Sequence, residues 1–146
     1  MVLLGREDLS VDSRKDWSEL VNPYPGGALV VADHQPYDEG QLEGEVSALQ
    51  LSGHTHAGQL WPLKAFYALL HLPVCGESDY SGTRLYVTPG MSGWAPPIRT
   101  EAHCAWELIT LYPRSRMAYH ATATIGYCYP NGIHCPWQPN SSANTR

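Results

Sequence analysis

The chain has 146 residues, with 14 Asp and Glu against 9 Lys and Arg, and carries a net charge of −5. That length suits one domain, and 43% hydrophobic with 16% charged residues marks a globular chain rather than a disordered one. The negative balance excludes the basic footprint of a nucleic-acid-binding surface, and no apolar run reaches the roughly 20 residues that span a bilayer.

The opening MVLLGREDLS turns acidic at once, unlike the basic start of a secretory signal. The four cysteines, Cys75, Cys104, Cys128 and Cys135, are therefore expected as reduced thiols, and the chain as it stands reads as cytoplasmic. After the turn signal of residues 22–27, Ala28 to Ala32 has the length and β-branching of a buried strand. Residues 37–46 are acidic and suit a short exposed helix or a loop. Ala48 to Ser52 reads as a second strand, stopped by Gly53. Leu63, Phe66, Tyr67 and Leu70 fall at helical spacing, which predicts a helix from Leu63 to Leu72, ending before Pro73. Arg84 to Thr88 is a third predicted strand, and Trp106 to Tyr112, with its alternation, a fourth. Trp17, Tyr24, Phe66 and Tyr67 are expected as core or boundary residues. The whole reads as α/β.

Composition changes near Pro113. Residues 1–112 hold all 14 acidic residues and 6 basic ones, a net of −8, whereas residues 113–146 hold three arginines, no acid and four prolines. The sequence therefore predicts a folded part, 1–112, and a poorly ordered tail, 113–146.

The polar chemistry gathers at predicted strand ends. Gly53-His54-Thr55-His56 follows a strand directly. Two histidines at this spacing suit either a polar turn or a metal site, and Gly53 would let the backbone leave the strand at an unusual φ. Asp33-His34-Gln35-Pro36 ends another strand. His34 alone suits a hydrogen-bonded strand-end residue, but parallel neighbours would bring it to His54 and His56, at the sheet edge where α/β proteins bind ligands.

Three segments together, His34-Gln-Pro36, the run from Leu51 to Pro62 (LSGHTHAGQLWP) and the run from Tyr86 to Arg99 (YVTPGMSGWAPPIR), resemble the calcineurin-like metallophosphoesterases. They are most similar to the bacterial branch whose catalytic domain often follows a membrane anchor, and Gly5-Arg-Glu-Asp8 also resembles a segment of that branch. The resemblance covers residues 1 to about 112. It implies a four-layer α-β-β-α sandwich and a dinuclear centre of divalent ions (Mn, Fe, Zn or Ni) acting on a phosphoester substrate by two-metal hydrolysis. Carried over by position, His34 and His54 would ligate one metal and His56 the other.

The family's D-x-H, G-D-x-x-D and G-N-H motifs do not occur in this sequence. The resemblance therefore implies the C-terminal half of the catalytic domain: a truncated phosphoesterase, inactive or nearly so by itself, marginally stable and prone to aggregate through unpaired edges. Other readings are a non-enzymatic remnant, a half-domain that needs a partner chain with the N-terminal half, and a mononuclear metal-binding protein. No bilayer-spanning segment is present in these residues, but an anchored parent would place the domain at a membrane.

Remaining residues have plainer readings. Trp94, Pro96, Pro97 and Ile98 form either a wall of the substrate pocket or a surface loop with one packed aromatic. Arg99 reads as a solvated arginine rather than a phosphate ligand. Gln59 and Trp61 read as supports of the ligand loop. Cys128, His134 and Cys135 lack the ligand spacing of a zinc site, and His71, His103 and His120 show no ligand pattern.

Overall fold

A computed structural model describes residues 1–21, 27–37, 48–80, 83–95, 98–114 and 118–128. The described residues form a five-stranded sheet in the order β1-β2-β3-β5-β4 and a separate two-stranded ribbon, β6-β7. The strands are β1 (Val2–Gly5), β2 (Leu29–Ala32), β3 (Ala48–Ser52), β4 (Gly76–Tyr80), β5 (Thr83–Val87), β6 (Cys104–Arg114) and β7 (Ala118–Cys128). Two helices, α1 (Trp17–Val21) and α2 (Leu63–Leu69), and a 3-10 turn at His56–Gly58 complete the elements.

Strands β1, β2, β3 and β5 run parallel and in register, while β4 returns antiparallel on β5. Parallel register puts Leu29, Ala48 and Thr83 side by side, and Val31, Gln50 and Leu85 in the next row. All six are buried. Trp17 and Val21 of α1 pack against Leu29, Val31 and Ala48, with Leu4 and Leu20 at the margin. Burying side chains of this size contributes about 1.5–3 kcal/mol each. The alternate row is less covered, with Leu49 and Leu51 half-buried.

The predicted strands near residues 28, 48 and 84 form where expected, and the α/β reading holds. Helix α2 starts at Leu63 and ends at Leu69. None of its residues is buried: Phe66 is 56% and Leu69 75% exposed, so the expectation of Phe66 as a core or boundary residue is corrected, while Tyr67 is half-buried, at the boundary. The helix has an apolar period but nothing among the described residues covers that face. Trp17 is core, as expected. Strands β1 and β4 and helix α1 are elements the sequence reading did not anticipate.

The predicted fourth strand is longer than expected. It continues through Pro113 to Arg114 and pairs antiparallel with β7, Ala118–Cys128. Part of the segment expected to be poorly ordered is therefore strand. Tyr24, the acidic segment from residue 38 to 46, Pro96, Pro97, His134 and Cys135 lie outside the described residues. Cys75 and Cys104 are free thiols. No helix among the described residues is long and apolar enough to cross a membrane.

Candidate metal site

A parallel sheet delivers the carboxyl ends of its strands to one edge. Here that edge receives Arg6 to Asp8 after β1, Asp33 to Gln35 after β2, Gly53 to His56 after β3 and Thr88 to Gly90 after β5. The backbone ladder runs on past the strands, through Arg6 N to Ala32 O (2.9 Å), Gly53 N to His34 O (3.0 Å) and Thr88 N to Ser52 O (2.8 Å). It fixes the register of the loops as well as of the strands.

His34 and His54 meet there. His34 Nε2 lies 3.3 Å from His54 Nδ1, and the rings sit edge-to-face with centroids 5.1 Å apart. The Tyr37 ring lies edge-on to His54 at 5.8 Å. Burial holds the His54 pKa below the ordinary histidine value; the nearby His34 and His56 add to the effect and Asp8 opposes it. Lowering favours the neutral imidazole, the form that binds a metal.

His56 is close by but turns elsewhere. Its Nδ1 lies 3.1 Å from the Ser92 carbonyl. The loop that carries it is left-handed almost throughout, with φ of +67° at His54, +50° at His56, +52° at Ala57 and +26° at Gln59. Such a conformation costs roughly 1–2 kcal/mol per non-glycine residue, so surrounding contacts must hold it. Thr55 caps the 3-10 turn and donates its hydroxyl to the Val74 carbonyl at 2.5 Å. Gln59, buried, accepts from Trp94 N at 2.6 Å and donates to the carbonyls of Trp94 (2.6 Å) and Ile98 (3.1 Å). This agrees with the reading of Gln59 as a support.

Two expectations are corrected at this loop. Gly53 is not the residue that needs glycine, because it has no positive φ and a Cβ there would meet Thr88 Cγ2 at an ordinary 3.6 Å. Gly58 is: its φ is +83°, and a Cβ would stand 2.8 Å from both the backbone N and the Cβ of Lys64. Nor is Arg99 a solvated side chain. Its guanidinium donates to the carbonyls of His56 (3.1 Å), Pro89 (2.8 Å), Gly90 (3.4 Å) and Ser92. Trp94 is 68% exposed, on a loop that Gln59 pins by its backbone.

The sequence reading gave no role to Asp33, Asp8 or Gln35. Asp33 is fully buried and faces Arg14 at 2.9 Å and Arg6 at 3.4 Å, while Arg6 also stacks 4.4 Å over Trp17. This ion cluster ties the segment after β1 to the end of β2. Gln35 bridges to Asp8 through its amide and accepts from Leu9 N at 3.4 Å. Hydrogen bonds from the Ser10 hydroxyl and backbone, then from Gln35, pull the Asp8 pKa down to about 2, helped by the charge of His34. Adjacent acidic and basic residues gave no sequence signal of these long-range pairs.

Comparison with known proteins finds partial relatives of this chain. The chain is 31% identical over 113 residues to an uncharacterized metallophosphoesterase of Helicobacter pylori, covering 76% of this chain and 30% of that protein. It is 40% identical over 76 residues to a transmembrane protein with metallophosphoesterase domain of Danio rerio, covering 50% of this chain and 17% of that one. An uncharacterized metallophosphoesterase of Campylobacter jejuni is 36% identical over 81 residues, 51% of this chain and 20% of the other. These partial matches to bacterial and eukaryotic metallophosphoesterases support the calcineurin-like metallophosphoesterase family for this chain. It spans less than a third of the length of these metallophosphoesterase relatives. No family model and no solved structure matches it.

The family implies divalent metal ions, and the His34–His54 pair fits one. Two nitrogens on one tetrahedral ion, each at about 2.0–2.1 Å, stand about 3.3 Å apart, the separation found here. Among the described residues, however, no group of three or more His, Cys, Asp or Glu is arranged to hold an ion. The chain presents two converging donors and a third imidazole nearby.

Proposed function

We propose that this chain supplies the histidine side of a metal-dependent phosphoester hydrolase site. His34 and His54 would hold one divalent ion and His56 would ligate a second. The observation that carries the reading is the 3.3 Å approach of His34 Nε2 and His54 Nδ1 at the carboxyl edge of adjacent parallel strands. When bound, the ions supply Lewis acidity toward phosphate oxygens and lower the pKa of a bound water. Burial shifts His54 toward its neutral form, and the surrounding contacts hold the His54–Gln59 loop in its left-handed path.

A dinuclear centre also needs a bridging carboxylate. We propose that the D-x-H, G-D-x-x-D and G-N-H donors lie outside these 146 residues, on the further length the relatives possess or on a partner chain. The second sheet of a four-layer sandwich would then cover the half-buried row of Leu49 and Leu51. On this reading the 146 residues alone bind metal but do not turn over a phosphoester. A membrane location follows only if the complete protein is anchored, as the name of the Danio rerio relative suggests for that protein.

The test is calorimetric titration of the chain with Zn²⁺ and Mn²⁺, alongside an assay with a chromogenic phosphodiester. Binding of about one ion per chain is expected, weakened by more than ~100-fold in His34→Ala and in His54→Ala; losing a group that merely orients a ligand can already cost about that much. Unchanged affinity in both variants would end this reading. A mononuclear metal-binding role is the second reading, favoured by the convergence of two imidazoles without a third among the described residues. It gains if one ion stays bound and activity does not appear when the missing donors are supplied in trans.

A further inference from the structure

His56 Nδ1 has two neighbours at 3.1 Å, the Ser92 carbonyl oxygen and Arg99 Nη2. They make opposite demands on the ring. A carbonyl only accepts, so its approach requires a proton on Nδ1. A guanidinium only donates, so its approach would require a bare Nδ1.

Counting protons decides between them. Arg99 Nη2 carries two protons and already faces three carbonyls, those of Pro89 at 2.8 Å, Gly90 at 3.4 Å and Ser92. No proton remains for the ring. Nδ1–H and Nη2–H instead converge on the Ser92 oxygen, which has two lone pairs. Nη1 meanwhile holds the carbonyl of His56 itself at 3.1 Å. One side chain thus grips both the backbone of His56 and the carbonyl that its ring touches, across 43 residues of sequence.

We infer that Arg99 is the positioning residue for His56: through the Ser92 carbonyl it fixes the Nδ1–H tautomer and leaves the Nε2 lone pair as the donor of the ring. This deepens, and rests on, the reading of His56 as a metal ligand. Metal-bound histidines generally give their second ring N–H to such a partner, which sets tautomer and orientation. Here the partner carbonyl is itself held by an arginine. The loop needs that grip, because His56 sits at a left-handed φ of +50° that its own backbone does not favour.

Long-range proton–nitrogen NMR of the metal-free 146-residue chain tests this, at a pH where imidazole is neutral. The unchanged protein is expected to show His56 protonated on Nδ1. Protonation on Nε2 overturns the inference. In Arg99→Lys, whose single ammonium cannot reach all four carbonyls, the two tautomers of His56 are expected to mix, while the one Zn²⁺ ion held by His34 and His54 is expected to bind as before. The His34 and His54 signals are expected to stay in place. A variant that loses thermal stability but keeps His56 wholly in the Nδ1–H tautomer overturns the inference, since Arg99 would then be merely structural. If Arg99→Lys does not fold, the tautomer of the unchanged protein decides. Should that protein take up no Zn²⁺, the metal reading fails, while the tautomer, read without metal, still judges Arg99.

Discussion

The carboxyl edge of the sheet and helix α2 are separated by a few residues of chain and are held in opposite ways. At the edge, polar side chains are buried and bonded: Asp33, Gln35, Thr55 and Gln59 are each at most 5% exposed. In α2 the large apolar side chains Leu63, Phe66 and Leu69 are exposed, and no residue is buried. The usual division of apolar inside and polar outside is reversed between these neighbours. Hydrogen bonds have direction, so they can hold a left-handed loop in one shape where apolar contact alone would not. Order at the edge therefore comes from specific polar contacts, and α2 adds little to the stability of this chain.

Removing the buried carboxylate attacks the edge most directly. Asp33→Ala takes away the group that both Arg6 and Arg14 face, and breaking a buried ion pair from one side costs about 3–5 kcal/mol. Urea unfolding should show a loss of that order, enough to leave the chain largely unfolded; a loss below about 1 kcal/mol would show that the cluster behaves like a surface pair.

Gln59→Ala comes next. It strands Trp94 N and the carbonyls of Trp94 and Ile98, at about 1–3 kcal/mol for a buried group left unmade. The expected companion is a change in tryptophan fluorescence as the Trp94 loop loosens. An unaltered emission spectrum with full stability would remove Gln59 from the set of pins.

Glu107 supplies a smaller effect with a definite sign. Burial raises its pKa above the ordinary carboxylate range, and a hydrogen bond from Thr88 partly offsets this. With the folded value above the unfolded one, its contribution favours the fold below the unfolded pKa and is lost as pH rises through the folded pKa. Glu107→Gln should therefore stabilise the chain at neutral pH and flatten the stability curve across the weakly acidic range. A variant less stable at neutral pH than the parent contradicts this.

The smallest effect belongs to α2. Leu69→Lys replaces a side chain that is 75% exposed and should move stability by no more than about 0.5 kcal/mol, while improving solubility. A large destabilisation would mean that the helix face is covered after all.

The sequence revealed most where local chemistry repeats. The strands near residues 28, 48 and 84 announced themselves as short runs rich in apolar residues, ended by polar, glycine or proline residues, and strand-end logic brought His34 to His54. Strand β4, Gly76-Glu-Ser-Asp-Tyr80, carries no apolar alternation because it lies at the sheet edge. Strand β1 is mostly exposed, and α1 is too short at five residues to display a period. Helical spacing located α2 correctly, yet spacing reports only that a face is apolar, not that anything covers it. The supports of the site were illegible for another reason. Gln59 acts on groups 35 and 39 residues away, Arg99 on His56 43 residues away, and Asp33 on arginines 19 and 27 residues away; such partners exist only once the sheet has aligned its loops.

Gly58 leaves a mark that could be seen without any structure. Because a methyl group there would collide with the first turn of α2, and the backbone already sits where side chains are strained, a saturation library at this position should return its parent letter almost alone. At Gly53, five residues earlier, the backbone is ordinary and space is open on all sides but one, so the same library should return a broad alphabet of small residues.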